Sequence, residues 1–326
     1  MIGEFDLIHR YLAPLAAQAP EALGLEDDAA IVTPPPGRDL VLAADALIEG
    51  VHFLPDDPAG LVARKLLRVN LSDLAAMGAE PLGYLVTAAW PADKEEDWIA
   101  AFAAGLGEDQ DSFAIKLLGG DTTRTSGPLA LSLTVLGTVP AGRAMRRATA
   151  QPGDLLFVSG TLGDAALGLR AVRGDLPGLP AAARDFLIDR YRLPQPRLAL
   201  GGALLESGLA TAAIDVSDGL VADVGHVAQA SGLAARIEAA AVPLSPAAQA
   251  VLDDAPALRA AVLTGGDDYE LAFAVPRERE DEIAAMAGRV DLPLTRVGRF
   301  AAGDGVMVVD EDGSSIALEA AGWTHF

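Results

Sequence analysis

There is no cysteine in this chain of 326 residues, and there are only three lysines, Lys65, Lys94 and Lys116. The first absence excludes disulfides, thiolate metal sites and cysteine nucleophiles, and it makes the cytoplasm the expected location. The second concerns phosphate chemistry. None of the lysines follows glycine, so the string G-x-x-x-x-G-K-[ST] is missing and a Walker-type P-loop is excluded. Aromatic residues make up 5% of the chain, so its cores must be aliphatic and rich in alanine. No apolar run approaches the roughly 20 residues of a membrane span. The start, Met1-Ile2-Gly3-Glu4-Phe5-Asp6, lacks the basic and apolar segments of a signal peptide, so no membrane partner is expected. The formal charge of −22 argues against nucleic acid, whose phosphates need a basic face. A nucleotide held by this chain must have its phosphates neutralised by metals and arginines.

What the chain has instead is aspartate at punctuated places. The strings are Glu26-Asp27-Asp28-Ala29-Ala30, Leu42-Ala43-Ala44-Asp45, Asn70-Leu71-Ser72-Asp73, Gly119-Gly120-Asp121-Thr122 and Asp215-Val216-Ser217-Asp218-Gly219. Several follow β-like stretches such as Leu40-Val41-Leu42 and Ile115-Lys116-Leu117-Leu118, where a solvated carboxylate is out of place. Carboxylates gathered at strand ends repel one another unless a cation neutralises them. Hard oxygen ligands suit Mg²⁺, which bridges protein carboxylates and substrate phosphates. The residues therefore point to a Mg²⁺-dependent enzyme that handles phosphate.

The length suits two domains. A helix is expected from Asp57-Pro58, with Asp as N-cap and Pro at the first position, to Gly78. Asn70 and Asp73, three apart, share one of its faces. Residues 81–90 read as a strand. Asp93-Lys94-Glu95-Glu96 matches a capping box for a helix ending about Gly107. Strands are expected over 113–118 and 129–139, which gives a βαβαββ order and a sheet covered by helices. The basic connection 141–153 marks a boundary between a metal- and ATP-binding domain, 1–140, and a second domain, 141–326. In the second half strands are expected over 154–159, 212–214, 271–275, 294–297 and 306–309, with helices near 184–191, 197–206, 219–230 and 278–287. The segment 173–180 reads as a loop.

Each motif has a plain reading beside the chemical one. In Asp215-Val216-Ser217-Asp218-Gly219-Leu220 a helix N-cap explains one polar residue and leaves the others to metal and phosphate. Gly119-Gly120-Asp121 reads as a simple turn or as a close backbone approach to a ligand. Gly265-Gly266-Asp267-Asp268-Tyr269-Glu270-Leu271 is either a turn entering a strand or the edge of a pocket for a cationic or amino-bearing substrate. Gly160-Thr161-Leu162-Gly163-Asp164 is a strand-to-helix turn that could also offer amides to an anion. His52, after Glu49-Gly50, is structural or functional in equal measure.

Read together, these strings resemble those of the thiamine-monophosphate kinases along essentially the whole chain. The shared strings include Gly3-Glu4-Phe5, Asp27-Asp28-Ala29-Ala30, Gly50-Val51-His52-Phe53, the ten residues from Asn70 to Ala79, Gly119-Gly120-Asp121-Thr122, Asp215-Val216-Ser217-Asp218-Gly219-Leu220, Gly265-Gly266-Asp267-Asp268-Tyr269-Glu270-Leu271 and the terminal His325-Phe326. Looser forms of several occur across a superfamily that includes aminoimidazole ribonucleotide synthetase and selenophosphate synthetase, and the latter reading lacks its cysteine here. The resemblance implies a mixed α/β fold of two domains, an N-terminal sheet domain that dimerises into a shared barrel and a C-terminal α/β domain packed against it, with the site in the cleft. It implies direct phosphoryl transfer from ATP to thiamine phosphate in a homodimer, with several Mg²⁺ ions. It further implies that Asp28, Asp45, Asp73, Asp121, Asp215 and Asp218 hold metal, with Asp45, Asp121 and Asp218 central to catalysis. Gly120, Asp121, Arg147 and Ser217 then match nucleotide contacts, and His52, Asp267 and Trp323 match acceptor contacts. Two positions depart from the family pattern. Glu26 stands where glycine is usual, and Ala43-Ala44 where Ser-Thr is usual, so only the Ala44 main-chain carbonyl is left as a metal ligand there. Two rivals remain: another ATP-dependent enzyme of the superfamily, of the aminoimidazole ribonucleotide synthetase type, and a non-catalytic metal- or nucleotide-binding protein.

Overall fold

Leucine and valine alternate with polar and small residues over 130–140, and such a period of two makes a strand with one covered face. That strand is central to the first of two sheets in the computed structural model, which describes residues 3–318 and 320–323. The chain divides into two compact units, one comprising Met1–Leu74 with Ala79–Gly142, the other Ala75–Gly78 with everything from Arg143 onward.

The first unit opens with short helices α1 (Glu4–Leu7) and α2 (Ala13–Ala16). It continues β1 (Arg38–Ile48), α3 (Ala59–Met77), β2 (Glu80–Trp90), α4 (Glu96–Phe113), β3 (Leu117–Arg124) and β4 (Ala130–Pro140), the expected βαβαββ order. The strands lie in the order β1-β4-β2-β3, so β1 and β3 are its two edges. β4 is antiparallel to both of its neighbours, and β2 runs parallel to β3. Arg68 Nε donates to Asp109 Oδ2 at 2.6 Å and Arg64 Nε to Asp109 Oδ1 at 2.9 Å, which ties α3 to α4 through a fully buried carboxylate. On β1, Leu40 and Leu42 remain 38% and 61% exposed, so one face of the sheet is left open and apolar.

Three local expectations need correction here. The helix expected from Asp93 starts at Glu96, because Lys94 is drawn to Glu49 (2.6 Å) and Glu96 to the Tyr11 hydroxyl (2.6 Å) and Arg10. It also runs past Gly107 to Phe113. Gly105 also lies inside it, where a Cβ would stand 2.3 Å from the Gly60 carbonyl, so that glycine serves helix contact. The strand expected over 113–118 starts only at Leu117, after the left-handed Ala114 (φ 50°), and runs through the Gly-Gly-Asp string to Arg124. At the other helix, Asp57 accepts the Leu54 N–H (2.8 Å) in the turn before α3, which begins at Ala59.

The second unit has a six-stranded sheet in the order β10-β7-β9-β5-β8-β6. Its elements are β5 (Leu155–Ser159), α5 (Asp164–Val172), α6 (Ala181–Arg192), α7 (Leu198–Ser207), β6 (Ala212–Asp215), α8 (Leu220–Ser231), β7 (Leu233–Glu238), α9 (Pro246–Asp254), α10 (Arg259–Thr264), β8 (Leu271–Val275), α11 (Ile283–Val290), β9 (Leu294–Ala302) and β10 (Gly305–Val309). β5, β6 and β8 are buried at every position, as in a sheet covered on both faces. Ile214, Val224 and Phe300 belong to the core on one side, and Phe157, Leu204 and Phe273 to that on the other. Strand β7 and helices α9 and α10 lie where the sequence pattern predicts no element. The start of α9 does carry a signal, since Ser245 Oγ accepts the Ala248 N–H (3.0 Å) and Pro246 occupies the first turn. Among the described residues no helix is long and apolar enough to cross a membrane.

Candidate active site

In the second unit two motifs are joined by main-chain bonds. β6 ends at Asp215, opposite Leu271 of β8. Beyond that pair the ladder continues irregularly: Val216 N–H donates to the Glu270 carbonyl, Tyr269 N–H to that of Val216, and Asp267 N–H to that of Ser217, each at 2.8 Å. The last two donors sit at positive φ, Tyr269 at 51° and Asp267 at 74°. Such a conformation costs on the order of 1 kcal/mol or more away from glycine, less for aspartate, and it gathers at binding sites. A Cβ on Gly266 would lie 2.3 Å from the Ser217 carbonyl, so only glycine lets the loops meet. Trp323 N–H donates to the Asp218 carbonyl at 3.0 Å. Asp215, Ser217, Asp218, Asp267 and Trp323 therefore share one platform. The terminal His325-Phe326 lies outside the described residues.

The other acids of the second string face inward. Asp268 is buried and accepts the Gly163 N–H (2.6 Å) and the Ala165 N–H (3.2 Å), capping α5 from within. Burial pushes its carboxyl up to about 8, helped by the charge of Asp164 and opposed by its two N–H bonds and Arg190. The Gly160 and Leu162 amides go to the carbonyls of Pro293 and Pro243. The turn before α5 thus spends its amides internally, which favours the plain reading of that turn. Glu270, fully buried, receives Ser159 Oγ (2.6 Å), Arg190 (2.9 Å) and Arg197. This carboxylate with two arginines holds α6 and the start of α7 against β5 and β8.

Sequence reasoning missed two residues here. Asp223 and His226 lie one helical turn apart on α8, and with Asp218 they bring potential ligand atoms within 4.8 Å of one another. Asp223 is buried, and its Oδ2 accepts the N–H groups of Asp218 (3.0 Å) and Gly219 (3.1 Å). Burial, reinforced by Asp215 and Asp218, pushes its carboxyl up to about 8. The i, i+3 spacing after an Asp-Gly helix start is the signal that could have found them. Arg147 is anchored elsewhere. Its carbonyl accepts Ser231 Oγ at the last residue of α8, and a helix of twelve residues spans about 18 Å, so its backbone lies at the far end of α8 from Asp218.

The first unit presents its candidates on two edges. Asp45 N–H donates to Asn70 Oδ1 (3.1 Å), which brings β1 and the Asn70–Asp73 face of α3 together. The Asn70 amide also donates to Leu66 O (2.9 Å), so its orientation is fixed. Ala44 is exposed on β1. His52 Nδ1 accepts the Ile48 N–H (3.0 Å) in the turn closing β1, which leaves the neutral ring's proton on Nε2. Gly120 and Asp121 lie on β3, at the opposite edge. A Cβ on Gly120 would stand 1.8 Å from the Val86 carbonyl. Asp28 is exposed, between Leu25 and Ala30, which pack against a cluster containing Leu118 of β3. Asp45 and Asp121 therefore sit inside strands and Asp73 inside a helix. Of the six, Asp215 alone ends a strand.

Known proteins place this arrangement. Residues 26–139 match the family described as AIR synthase related protein, N-terminal domain, and residues 151–311 match the corresponding C-terminal domain. The thiamine-monophosphate kinase of Caulobacter vibrioides is 45% identical over 325 residues, 99% of this chain and 90% of that protein. This chain belongs to the thiamine-monophosphate kinase family. The crystal structure of such a kinase from Stenotrophomonas maltophilia K279a is 43% identical with a TM-score of 0.85, covering 97% of this chain and 98% of that one. The structure of AaThiL complexed with AMPPCP and TMP is 31% identical with a TM-score of 0.78, covering 99% and 97%. A hydrogenase maturation protein, HypE, shares the fold at 18% identity and a TM-score of 0.78.

The fit of the residues present to the Mg²⁺ that the resemblance implies can be tested. Asp218, Asp223 and His226 can each bring one ligand atom to within 4.8 Å of the others, and two of the three donors are hard carboxylate oxygens. The donor set fits.

Proposed function

We propose that this chain transfers the terminal phosphoryl group of ATP to thiamine phosphate, giving thiamine diphosphate directly, with Mg²⁺ and as a cytoplasmic homodimer. The observation that carries the reading is the platform of the second unit. There Val216 and Ser217, which lie between the metal-side residues Asp215 and Asp218, are hydrogen-bonded to the loop that holds Asp267, and the Trp323 N–H donates to the Asp218 carbonyl. A carboxylate and an indole suit a cationic thiazolium and an aminopyrimidine. Mg²⁺, when bound, neutralises the triphosphate so that an anionic acceptor can approach. The residues do the rest. Asp28, Asp45, Asp73, Asp121, Asp215 and Asp218, with the Ala44 carbonyl, hold the ions. Gly120, Ser217 and Arg147 hold the nucleotide, the arginine offering a bidentate contact to phosphate. His52, Asp267 and Trp323 orient the acceptor. The attacking phosphate oxygen is ionised at neutral pH, so no strong base is needed and catalysis is positioning with electrostatic stabilisation. The open apolar face of the first sheet supports the dimeric barrel, because closure would cover Leu40 and Leu42 and remove both edges.

A coupled assay with the product identified by mass tests the reading. ADP release that requires thiamine phosphate and yields thiamine diphosphate is expected. Turnover with an aminoimidazole precursor instead, or nucleotide binding without turnover, would replace it by one of the two rivals.

A further inference from the structure

One buried side chain of the second unit grips the backbone on both sides of Asp218. Helix α8 has Gly219 as its N-cap, and glycine has no side chain with which to satisfy a free amide. Asp223, one turn further on, reaches back instead. A single oxygen, Oδ2, accepts the N–H of Asp218 (3.0 Å) and that of Gly219 (3.1 Å). The residue is 2% exposed, so water has little access to these bonds.

The two amides belong to the two peptide planes that flank the Asp218 Cα. Fixing both planes fixes the only two soft backbone dihedrals of that residue, and with them the direction in which its carboxylate leaves the chain. The same planes carry two carbonyls that build the platform. That of Ser217 accepts the Asp267 N–H at 2.8 Å, and that of Asp218 accepts the Trp323 N–H at 3.0 Å. In a trans peptide the N–H and the C=O point in opposite directions. Asp223 therefore holds each plane from one side, and Asp267 and Trp323 are bonded to the other. The tail is seated closely, since a Cβ on Gly322 would meet the Asp218 carbonyl at 2.7 Å.

We propose that Asp223 is a positioning residue of the kinase site: by clamping both peptide planes around Asp218 it keeps the metal-side carboxylate in register with Asp267 and Trp323 on the acceptor side. It does this through the place of one oxygen. The cluster of Asp218, Asp223 and His226 would also allow Asp223 to act as a ligand through its charge, and the two roles have opposite consequences. The inference rests on the kinase reading, specifically on Asp218 serving metal and on Asp267 and Trp323 serving the acceptor.

Three variants of the full chain separate place from charge. Asp223→Ala removes the acceptor oxygen. Asp223→Asn sets an amide oxygen where Oδ2 stands, which keeps both bonds and loses the charge. Asp223→Glu keeps the charge and moves the oxygen by one methylene. Initial rates are measured with Mg²⁺, ATP and thiamine phosphate varied in turn. Asp223→Ala and Asp223→Glu should each raise the Mg²⁺ needed for half-maximal rate, and the KM for thiamine phosphate, by about tenfold. Asp223→Asn should rescue both constants to within about threefold of wild-type. An Asn variant as impaired as the other two, or impaired where the Glu variant is not, overturns the proposal, because the site then uses the charge. A lower melting temperature in the Ala variant with both constants unchanged also overturns it, since Asp223 is then a helix cap and nothing more. Asp223→Glu carries the test if circular dichroism shows that Asp223→Ala does not fold, and if neither folds while Asp223→Asn does, the residue serves the fold and the proposal fails. A wild-type chain that releases no ADP in response to thiamine phosphate sinks the kinase reading itself, before any variant is compared.

Discussion

Gly119-Gly120-Asp121 and Gly265-Gly266-Asp267 share three letters and adopt two different structures. The first is part of a strand, β3, paired along its length with β2. The second lies outside any strand, with its aspartate at φ 74°. What they have in common is the middle glycine. In each the absent Cβ makes room for a carbonyl oxygen, that of Val86 in one and that of Ser217 in the other. A glycine pair before an acid therefore marks a close backbone approach, and the turn is incidental. The strand string fixes an aspartate at a sheet edge, where it presents charge. The loop string fixes an aspartate against a second motif, where it presents shape as well.

The largest contrast should appear in turnover. If Asp121 holds metal and Asp267 orients the acceptor, Asp121→Asn lowers kcat by about 10³-fold, while Asp267→Asn raises the KM for thiamine phosphate by about tenfold and leaves that for ATP nearly unchanged. Steady-state kinetics with each substrate varied in turn measure both. Equal losses of kcat in the two variants would erase the distinction between the strings.

A smaller contrast concerns stability. A methyl on Gly120 meets the Val86 carbonyl at 1.8 Å, within a regular ladder that cannot shift without unpairing β3. One on Gly266 meets the Ser217 carbonyl at 2.3 Å, in a loop that has more room to yield. Gly120→Ala should cost about 3 kcal/mol and Gly266→Ala about 2 kcal/mol in urea unfolding. The reverse order would mean that the loop is the more rigid of the two.

The strings also differ in the residue after the acid. Thr122 succeeds Asp121, its hydroxyl accepting the Trp90 indole N–H (2.7 Å), whereas Asp268 succeeds Asp267 and is buried. The Asp268 carboxyl titrates near 8 in the folded chain, raised chiefly by burial. In the unfolded chain it titrates near an ordinary value of about 3.9. Between those values the folded chain holds one proton more than the unfolded chain. Stability from this group is therefore full at the acid end, falls as pH rises toward 8, and is level above that. Asp164, also raised by burial, acts in the same direction. Thermal melts from pH 5 to pH 9 should show wild-type losing about 4 kcal/mol relative to Asp268→Asn, most of it below pH 8. Parallel curves would show that Asp268 stays charged throughout.

Much of this was legible in the sequence because it depends on local pattern. The βαβαββ order of the first unit comes from hydrophobic period, and the strands β5, β6 and β8 from short apolar runs between Gly and Asp. What failed was long-range. Gly107 reads as the end of a helix that in fact runs on to Phe113, and the glycine this helix does require, Gly105, answers to Gly60 on another helix, 45 positions away in sequence. The inward roles of Asp268 and Glu270 depend on Gly163, Arg190 and Arg197, none of them near in sequence. The strand edges carrying Asp45 and Asp121 depend on a sheet order that no periodicity encodes. Aspartate identities could be read from the chain, but their grouping required the register.

The finest way to separate the two strings is to remove strain and charge independently at Asp267. Its left-handed conformation is unfavourable for any residue with a Cβ, less so for aspartate than for alanine, and open to glycine. Asp267→Gly should raise stability by about 0.5 kcal/mol, since relief of the backbone outweighs the added freedom of the unfolded chain. Asp267→Ala should lower it by about 1 kcal/mol, because alanine keeps the Cβ and loses the local polar compensation. Both lack the carboxylate, so both should raise the thiamine phosphate KM alike. Urea midpoints give the first quantity and initial rates the second. If the glycine variant binds the acceptor as well as wild-type does, the aspartate is present for the turn and not for the ligand. The loop string would then be a structural device, unlike its counterpart in β3. If stability instead falls equally in both variants, the side chain holds the loop closed, and the strain at φ 74° is compensated by a contact of Asp267 itself.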